Sequence, residues 1–422
     1  MSDHLPAAPE RASSNRVALS VMTTIFFMWG FITALNDVLI PHLKSVFTLN
    51  YAEVMLVQST FFGAYFIMSL PSGKVLAHYG YRVSIIVGLI VTGIGALLFI
   101  PAAQLQSYPL FLFAFFVLAS GITLLQVAAN PYVSLLGSAR YASARLNLAQ
   151  ALNSLGTTIA PKLGGLLILS TAVLGAAELA KLSPAAQTAY KLQQAHSVQG
   201  PYIGIAIVLF LLAVVVWLFR MPQLEGTAEA DDSRHRFADA LKLPRVWLGM
   251  LAIFVYVGAE VSIGSFMVNY LSLPDIGHMS EAAATGYVSL YWGGAMVGRF
   301  IGSALLTRID ARKLLAFNAT IAALLVITTM LTLGHVALWS VVAIGLFNSI
   351  MFPNIFTLGI EKFGPLTGKV SSLLVMAIVG GAIIPLAQGA LADHIGVHHA
   401  YVLPLVCYLY ITYYGLRGSR VA

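Results

Sequence analysis

Residues 83–100 of the chain read VSIIVGLIVTGIGALLFI, a run without a single charged side chain. A helix of this length crosses a hydrocarbon core of ~30 Å, because each residue adds ~1.5 Å along the axis. Similar apolar runs recur along all 422 residues, of which 59% are hydrophobic and 9% charged. A soluble domain carries roughly 25% charged residues, so this composition excludes a soluble fold. The sequence therefore predicts an all-α membrane protein.

The apolar runs predict twelve transmembrane helices in two sets of six. The first set covers about 19–47, 53–77, 82–100, 109–136, 143–171 and 200–220, and the second about 245–272, 281–306, 312–333, 337–361, 366–391 and 398–416. A charge-rich stretch separates the two sets and is typical of a linker on the membrane surface. We expect a tail at 1–18, an N-terminal six-helix bundle at 19–220, a linker at 221–244 and a C-terminal bundle with a short tail at 245–422.

Basic residues indicate the orientation of the chain. Alternate connections are rich in lysine and arginine, whereas the opposite connections offer little beyond Lys44, Lys181 and Lys191. Short loops that carry lysine and arginine stay on the cytoplasmic side. Both termini and the linker are therefore expected in the cytoplasm, as an even number of spans requires. Residues 1–18 lack the apolar core of a cleavable signal peptide, so we expect the first span to be retained.

Other classes of protein fit the sequence poorly. The net charge of +7 is spread over short connections instead of forming one basic patch, which argues against nucleic acid as a partner. The single cysteine, Cys407, forms no intrachain disulfide. The sequence shows no metal-ligand cluster, no nucleophile with a base and no phosphate loop, so we expect neither an enzyme nor a cofactor or metal site.

Two acids fall inside apolar spans, where a carboxylate costs about 2.5–3.5 kcal/mol and usually faces a cavity or a partner. Asp37 shares one side of the first predicted helix with Trp29, Thr33 and Asn36. Glu260, in the first span of the second half, has no basic residue within a helical turn. We predict that both acids couple transport to a cation, either a proton or a sodium ion. A position of Asp37 at the outer interface and a structural role of Glu260 stay open as alternatives.

Amide side chains form the second polar signal. Gln126 and Asn130 lie four residues apart on the fourth span, and Gln150 and Asn153 line one side of the fifth. An amide both donates and accepts hydrogen bonds, as a sugar hydroxyl does, and an aromatic ring such as Trp29 packs against the apolar face of a pyranose. The pattern predicts a site for a small polar solute such as a sugar. Hydrogen bonds between helices, worth ~0.6 kcal/mol each, are the alternative explanation.

The second half carries weaker echoes of the same pattern. Its candidates are Asn269, Tyr291, Asn318, Asn348, Phe352 and Asn354. The fourth span contains Asn130-Pro131 and the tenth contains Pro353-Asn354 at a corresponding depth. Each proline removes a helical hydrogen bond, and the adjacent amide is suited to satisfy the freed backbone. Such repetition is expected of a transporter built from two related halves, and the two pairs serve either as kinks or as binding groups.

The pattern resembles the major facilitator superfamily and, within it, the L-fucose:proton symporter family with its glucose/galactose transporter branch. The resemblance covers nearly all the spans. Its most specific stretches are Trp29 to Pro41, Gln126 to Val133, Leu146 to Ser154, Tyr256 to Phe266 and Phe352 to Ile360. It implies two six-helix bundles, the major facilitator fold, with a sugar and an ion bound between them.

Residue by residue, the resemblance gives Asp37 the role of the family's protonatable aspartate. It places Gln150 and Asn153 among the polar residues of the sugar cavity, with Trp29 as an aromatic lining. The predicted substrate-binding set is Trp29, Asn36, Gln126, Asn130, Gln150, Asn153, Tyr256, Asn348 and Phe352.

Three positions depart from the fucose type. Gln126 stands where fucose-type members have a glutamate, Phe352 where they have a tyrosine, and Glu260 where they have a glutamine. The departures resemble the glucose/galactose branch, in which one acid has moved from the fourth span to the seventh. They make coupling to protons less secure.

These observations predict a transporter that imports a glucose/galactose-type hexose by symport with a cation, through alternating access. The proton is the favoured ion and sodium the alternative. A fucose or N-acetylglucosamine symporter and an uncoupled sugar uniporter are the other functions considered. The expected setting is the bacterial inner membrane, where the protein contacts lipid and acts as a monomer.

Overall fold

The computed structural model describes residues 8–47, 51–168, 181–183, 185–187, 189–190, 198–219, 221–222 and 236–421. Within these ranges, the side chains of 8–14, 36–46, 51–55, 164–168, 281 and 282 are outside the description. The elements of the first half are α1 (Ala8–Phe47), α2 (Tyr51–Gln104), α3 (Tyr108–Leu135), α4 (Ala142–Ile168) and α5 (Gln199–Leu218). Those of the second half are α6 (Phe237–Leu241), α7 (Pro244–Leu271), α8 (Glu281–Leu305), α9 (Ala311–Leu331), α10 (Gly334–Asn348), α11 (Met351–Ile360), α12 (Thr367–Met376), α13 (Gly380–Ala400) and α14 (Val402–Leu416).

The twelve predicted spans map onto these helices. Helix α2 contains the second and third spans, because Gly80 has a φ of 72°, a conformation that glycine adopts readily, and breaks the helix there. Helices α10 and α11 form the tenth span and α12 and α13 the eleventh. Eight stretches of the described chain are long and apolar enough to cross a membrane, and one of them, Leu56–Gln104, is 49 residues long. Because that stretch contains two spans, the eight stretches supply nine spans, and α4, α8 and α14 supply the other three.

The two halves repeat the same helix pairs. The first span packs on the fifth through α1 and α4, as the seventh packs on the eleventh through α7 and α13. The third span packs on the sixth through α2 and α5, as the ninth packs on the twelfth through α9 and α14. This repetition is expected of two halves related by an axis along the membrane normal. The prediction of two six-helix bundles is confirmed.

Small residues bring the paired helices together. A Cβ atom on Gly30 of α1 would lie 2.1 Å from the carbonyl oxygen of Asn153 on α4. In the second half, a Cβ atom on Gly380 of α13 would lie 2.0 Å from the carbonyl oxygen of Phe254 on α7. Glycine allows such close backbone contact, which is how helices associate without a hydrophobic driving force. The first and fifth spans, which carry the predicted sugar residues Trp29, Gln150 and Asn153, are therefore held in direct contact.

Cationic side chains bind helix ends on the side of the bundle where α5 ends and α7 begins, here named the linker end. Arg145 donates to the carbonyl oxygens of Val133 at 3.1 Å, Ser134 at 2.6 Å and Ser138 at 2.8 Å, after α3 runs out of helical donors. In the second half, Glu361 accepts from Arg245 at 3.1 Å and also binds Arg312. Arginine side chains at the linker end thus bind backbone carbonyls and a carboxylate where the spans end.

Candidate functional site

The first half places a hydrogen-bonded aromatic and amide group at the interior of the bundle. Gln126 donates from Nε2 to the hydroxyl of Tyr65 on the second span, over 2.7 Å, and both side chains are buried. Trp29 of the first span lies close to the Tyr65 hydroxyl, and its ring is 5.0 Å from that of Phe26. Two residues of the predicted sugar site, Trp29 and Gln126, therefore lie around a tyrosine that the sequence did not single out.

Other amides of the first half have hydrogen-bonding capacity to spare. Asn130 is fully buried, and neither its Nδ2 nor its Oδ1 has a hydrogen-bond partner within the described part of the chain. A buried amide without partners is expensive, so Asn130 has unused donor and acceptor capacity. Gln150 is also buried and lies on α4, three residues before Asn153. Asn153 differs, because its Nδ2 donates to the carbonyl of Phe26 over 2.9 Å and so ties α4 to α1.

The second half contains a closed network around Glu260. The Tyr256 hydroxyl donates to Oε1 of Glu260 over 2.7 Å and lies 3.0 Å from the carbonyl oxygen of Asn348. Asn348 donates to the hydroxyl of Tyr291 over 2.7 Å and accepts from that of Tyr408 over 2.7 Å. All five side chains are buried. The polar groups around Glu260 therefore bind one another, and Tyr291 and Tyr408 join the predicted Tyr256, Asn348 and Glu260.

Arg299 of α8 completes this network and was missed by the sequence analysis. Its guanidinium lies 3.7 Å from Oε1 of Glu260, and both side chains are 12% exposed. It also donates to the carbonyl of Ser349 over 3.1 Å and to the hydroxyl of Ser154 on α4. A lone arginine inside an apolar span was the available signal, because the rule that singles out intramembrane acids applies equally to bases. The partner that Glu260 lacks on its own helix comes from the next span.

The prolines Pro131 and Pro353 each leave a backbone carbonyl without a helical donor, and a side chain binds that carbonyl. Pro353 cannot donate to the carbonyl of Ser349, four residues earlier, and that carbonyl accepts from Arg299. Pro131 in the same way leaves the carbonyl of Val127 without a helical donor. The hydroxyl of Ser371, on α12 in the opposite half, donates to it over 2.8 Å. The adjacent amides Asn130 and Asn354, which the sequence suggested for this purpose, do not bind these carbonyls.

The remaining predicted residues fall into three groups. Asn36 and Asp37 lie on α1, and their side chains are outside the described part of the chain. Phe352 is half-buried and stacks on Phe356 with ring centroids 6.1 Å apart. Asn318 and Asn354 connect helices: Asn318 donates to the carbonyl of Phe347 over 3.0 Å, and Oδ1 of Asn354 accepts from Asn147 of the first half over 2.9 Å.

The large cavity of the structure lies apart from these polar groups, at the linker end between the two halves. Its volume is about 1420 Å³, and its lining includes the charged side chains of Arg140, Arg308 and Lys362. Ser143 and Thr357 also line it, and their hydroxyl oxygens are 2.6 Å apart, one from each half. The cavity is therefore a vestibule that ends where the halves meet.

Comparison with known proteins shows which family and which solved structures this chain is similar to. Residues 18–385 match the family model described as Major Facilitator Superfamily. The chain is 52% identical over 403 residues to a protein from Brucella abortus named glucose/galactose transporter, with 96% of this chain and 94% of that protein covered. Its fold is similar to a crystal structure of a variant of the E. coli fucose:proton symporter, FucP, with a TM-score of 0.89, 33% identity, and coverage of 96% of this chain and 99% of that chain.

A second crystal structure, of FucP in the outward conformation, gives a TM-score of 0.86 at 34% identity and covers 96% of this chain and 99% of that chain. The helix count, the repeated halves and the family match agree. The chain is a multi-pass membrane protein of the transporter kind, and it belongs to the major facilitator superfamily.

Proposed function

We propose that this transporter imports a glucose/galactose-type monosaccharide by symport with a cation, with H⁺ as the favoured ion and Na⁺ as the alternative. The observation that carries the proposal is the buried amide of Asn130, whose donor and acceptor atoms are both unpartnered. It lies one helical turn from Gln126, which is bound to Tyr65. A sugar hydroxyl supplies both a donor and an acceptor, so it matches such an amide.

The names of the relatives support the same substrate class. The Brucella protein is named glucose/galactose transporter and FucP fucose:proton symporter, which indicates a hexose and a proton. The fucose and N-acetylglucosamine alternatives are less favoured, because the relative at 52% identity carries the glucose/galactose name. The substrate-binding role of Trp29, Asn36, Gln126, Asn130, Gln150, Asn153, Tyr256, Asn348 and Phe352 remains our proposal.

Two acids are proposed to couple sugar to ion movement. Glu260 is paired with Arg299, so its charge is neutralised within the protein. Asp37 is therefore proposed as the acid that loads the cation, with Glu260 as a second coupling residue whose protonation competes with its ion pair. One elementary charge that moves through 100 mV supplies about 2.3 kcal/mol, enough for roughly fiftyfold accumulation of the sugar.

The proposed setting is the bacterial inner membrane, with the linker end and both termini in the cytoplasm. Residues 19–220 and 245–422 then form two bundles that rock about the sugar site, joined by the linker at 221–244. We propose that the protein acts as a monomer among lipids and needs no cofactor beyond the transported ion.

Purified protein in liposomes tests the substrate and the ion together. We expect labelled glucose and galactose to accumulate when a pH gradient, acid outside, is imposed, and L-fucose and N-acetylglucosamine to compete weakly. A sodium gradient applied without a pH gradient is the separate arm. Accumulation driven only by the sodium gradient would identify Na⁺ instead of H⁺ as the coupled ion. Sugar equilibration without accumulation under either gradient would favour a uniporter and contradict symport.

Asp37→Asn tests the coupling residue. The amide is close in shape to the carboxylate but binds no proton, so sugar exchange should persist while uphill uptake is abolished. Asp275→Asn, at an exposed acid of the connection between α7 and α8, is the matched control and should accumulate sugar normally. Intact accumulation by the Asp37 variant would remove that residue from the mechanism.

A further inference from the structure

Several hydrogen bonds between the two halves lie in the linker-end part of the spans. Starting from the first residues of α4, Ser143 contacts Thr357, Ala144 accepts from Ser303 over 2.9 Å, and Asn147 binds Asn354. Farther along α4, the Ser154 hydroxyl accepts a hydrogen bond from Arg299. Ser154 is twelve residues into α4, which at ~1.5 Å per residue is ~18 Å from its start. The contact between Arg299 and Ser154 is therefore deep in the bundle, next to the amides of α4.

Arg299 binds both halves at once. Within its own half it contacts Glu260 and the Ser349 carbonyl, which the Pro353 kink freed. Across the interface it donates to the Ser154 hydroxyl, which itself donates to the carbonyl of Gln150 over 3.0 Å. If the halves separate here, the guanidinium loses Ser154 and keeps its two other partners. Breaking the contact therefore leaves no bare buried cation, which makes the contact reversible.

The second half offers a counterpart on the other side of the interface. Ser371 donates to the carbonyl of Val127, which the Pro131 kink freed. Thus each half has a proline that exposes one carbonyl near the interface, and each carbonyl takes a side chain that helps to join the halves. The repeated motif predicted as kink or binding group serves the contact between the bundles.

We propose that Arg299 and Ser154, together with Ser371 and the Val127 carbonyl, form a two-part latch that holds the bundles closed between the polar site and the linker-end vestibule. When the latch opens, the polar site becomes connected to the linker-end vestibule. The proposal rests on the proposed transport by alternating access, because a latch matters only if the bundles separate. Arg299 acts here as a positioning residue and does not contact the sugar.

The test measures opening at the linker end without sugar or ion. Ala144 is 6% exposed and packs with Leu306, Leu314 and Ile350 of the opposite half. The substitution A144C therefore places a thiol that reacts with a maleimide only when the bundles separate. Cys407, which is buried, is removed by C407A so that this thiol is unique. The protein is studied as the full chain in lipid nanodiscs, and the labelling rate is the readout.

Two variants each remove one hydroxyl of the latch. We expect S154A to raise the labelling rate about tenfold, because a hydrogen bond to a charged group is lost, and S371A to raise it about fivefold. S340A is the matched control: Ser340 is a buried serine whose hydroxyl donates within its own helix to the carbonyl of Val336. It should label at the background rate.

A rate for both S154A and S371A that equals the S340A rate would overturn the latch. R299K provides an independent arm, since it keeps the positive charge for Glu260 but a single ammonium does not span three partners. It should label at least as fast as S154A, and a background rate would also overturn the proposal. Gel filtration and the thermal midpoint confirm that each variant is folded. Transport can fail in liposomes while the latch result stands, so the two proposals fail separately.

Discussion

The two halves share one helix arrangement but use their polar groups differently. In the first half, Asn130 has both amide atoms unpartnered. In the second half, Tyr256, Tyr291, Tyr408 and Asn348 bind one another around Glu260. The comparison separates an amide with unused hydrogen-bonding capacity from a group of side chains that satisfy one another. Substitutions in the group around Glu260 should therefore affect stability, and a substitution at Asn130 should affect binding.

Glu260→Ala should have the largest effect. It leaves the mostly buried guanidinium of Arg299 without its carboxylate, and breaking a buried pair from one side destabilises by ~3–5 kcal/mol. Thermal unfolding followed with a thiol-reactive dye measures this, because Cys407 is buried until the protein unfolds. Glu260→Gln keeps an acceptor for Tyr256 and should lose less. Unchanged stability in the alanine variant would show that the pair does not hold the second half together.

Asn348→Ala comes next. It removes the acceptor of Tyr408 and the donor to Tyr291, and each unsatisfied buried group costs about 1–3 kcal/mol. We expect a loss of ~2–4 kcal/mol in the same unfolding assay. Asn318→Ala, which removes one hydrogen bond to a carbonyl, is the control and should lose ~1 kcal/mol. Equal losses in the two variants would contradict the network.

Asn130→Ala should affect sugar binding more than stability, unlike the two variants above. No protein group loses a partner, so the free energy of unfolding should change by less than ~1 kcal/mol, whereas sugar affinity should fall about tenfold. Equilibrium binding of labelled glucose and galactose to the purified protein provides the measurement. Ser134→Ala, one turn along the same helix, is the control, since its hydroxyl binds only the carbonyl of Asn130 among the described residues. A large loss of stability with unchanged affinity would assign Asn130 to packing.

Phe352→Tyr is the smallest change and sharpens the substrate assignment. The ring is half-buried and stacked on Phe356, so an added hydroxyl should alter stability by less than ~1 kcal/mol. We expect the ratio of L-fucose to galactose uptake to rise by up to ~10-fold, because hydrogen-bonding groups discriminate sugars by their hydroxyls. Phe356→Tyr is the control. An unchanged ratio would remove position 352 from substrate selection.

Several features of the fold follow from the sequence directly. The twelve spans and the two halves could be predicted, because apolar length acts locally and needs no knowledge of neighbours. The loss of a helical hydrogen bond at Pro131 and at Pro353 was predicted for the same reason, since a proline cannot donate wherever its helix lies. Trp29, Gln126 and Glu260 were identified as polar or aromatic groups in apolar surroundings.

The partners of these groups were decided by tertiary structure alone. Glu260 binds Arg299 from another span, Gln126 binds Tyr65, and the carbonyl freed by Pro131 is bound by Ser371 from the opposite half. Each contact joins residues far apart in the chain, so neither periodicity nor spacing reveals it. The sequence by itself determined that the polar groups must face the protein interior and not the lipid. Only helix packing determined which of them satisfy one another and which, like Asn130, have no partner among the described residues, because a hydrogen bond requires its partner within ~3 Å.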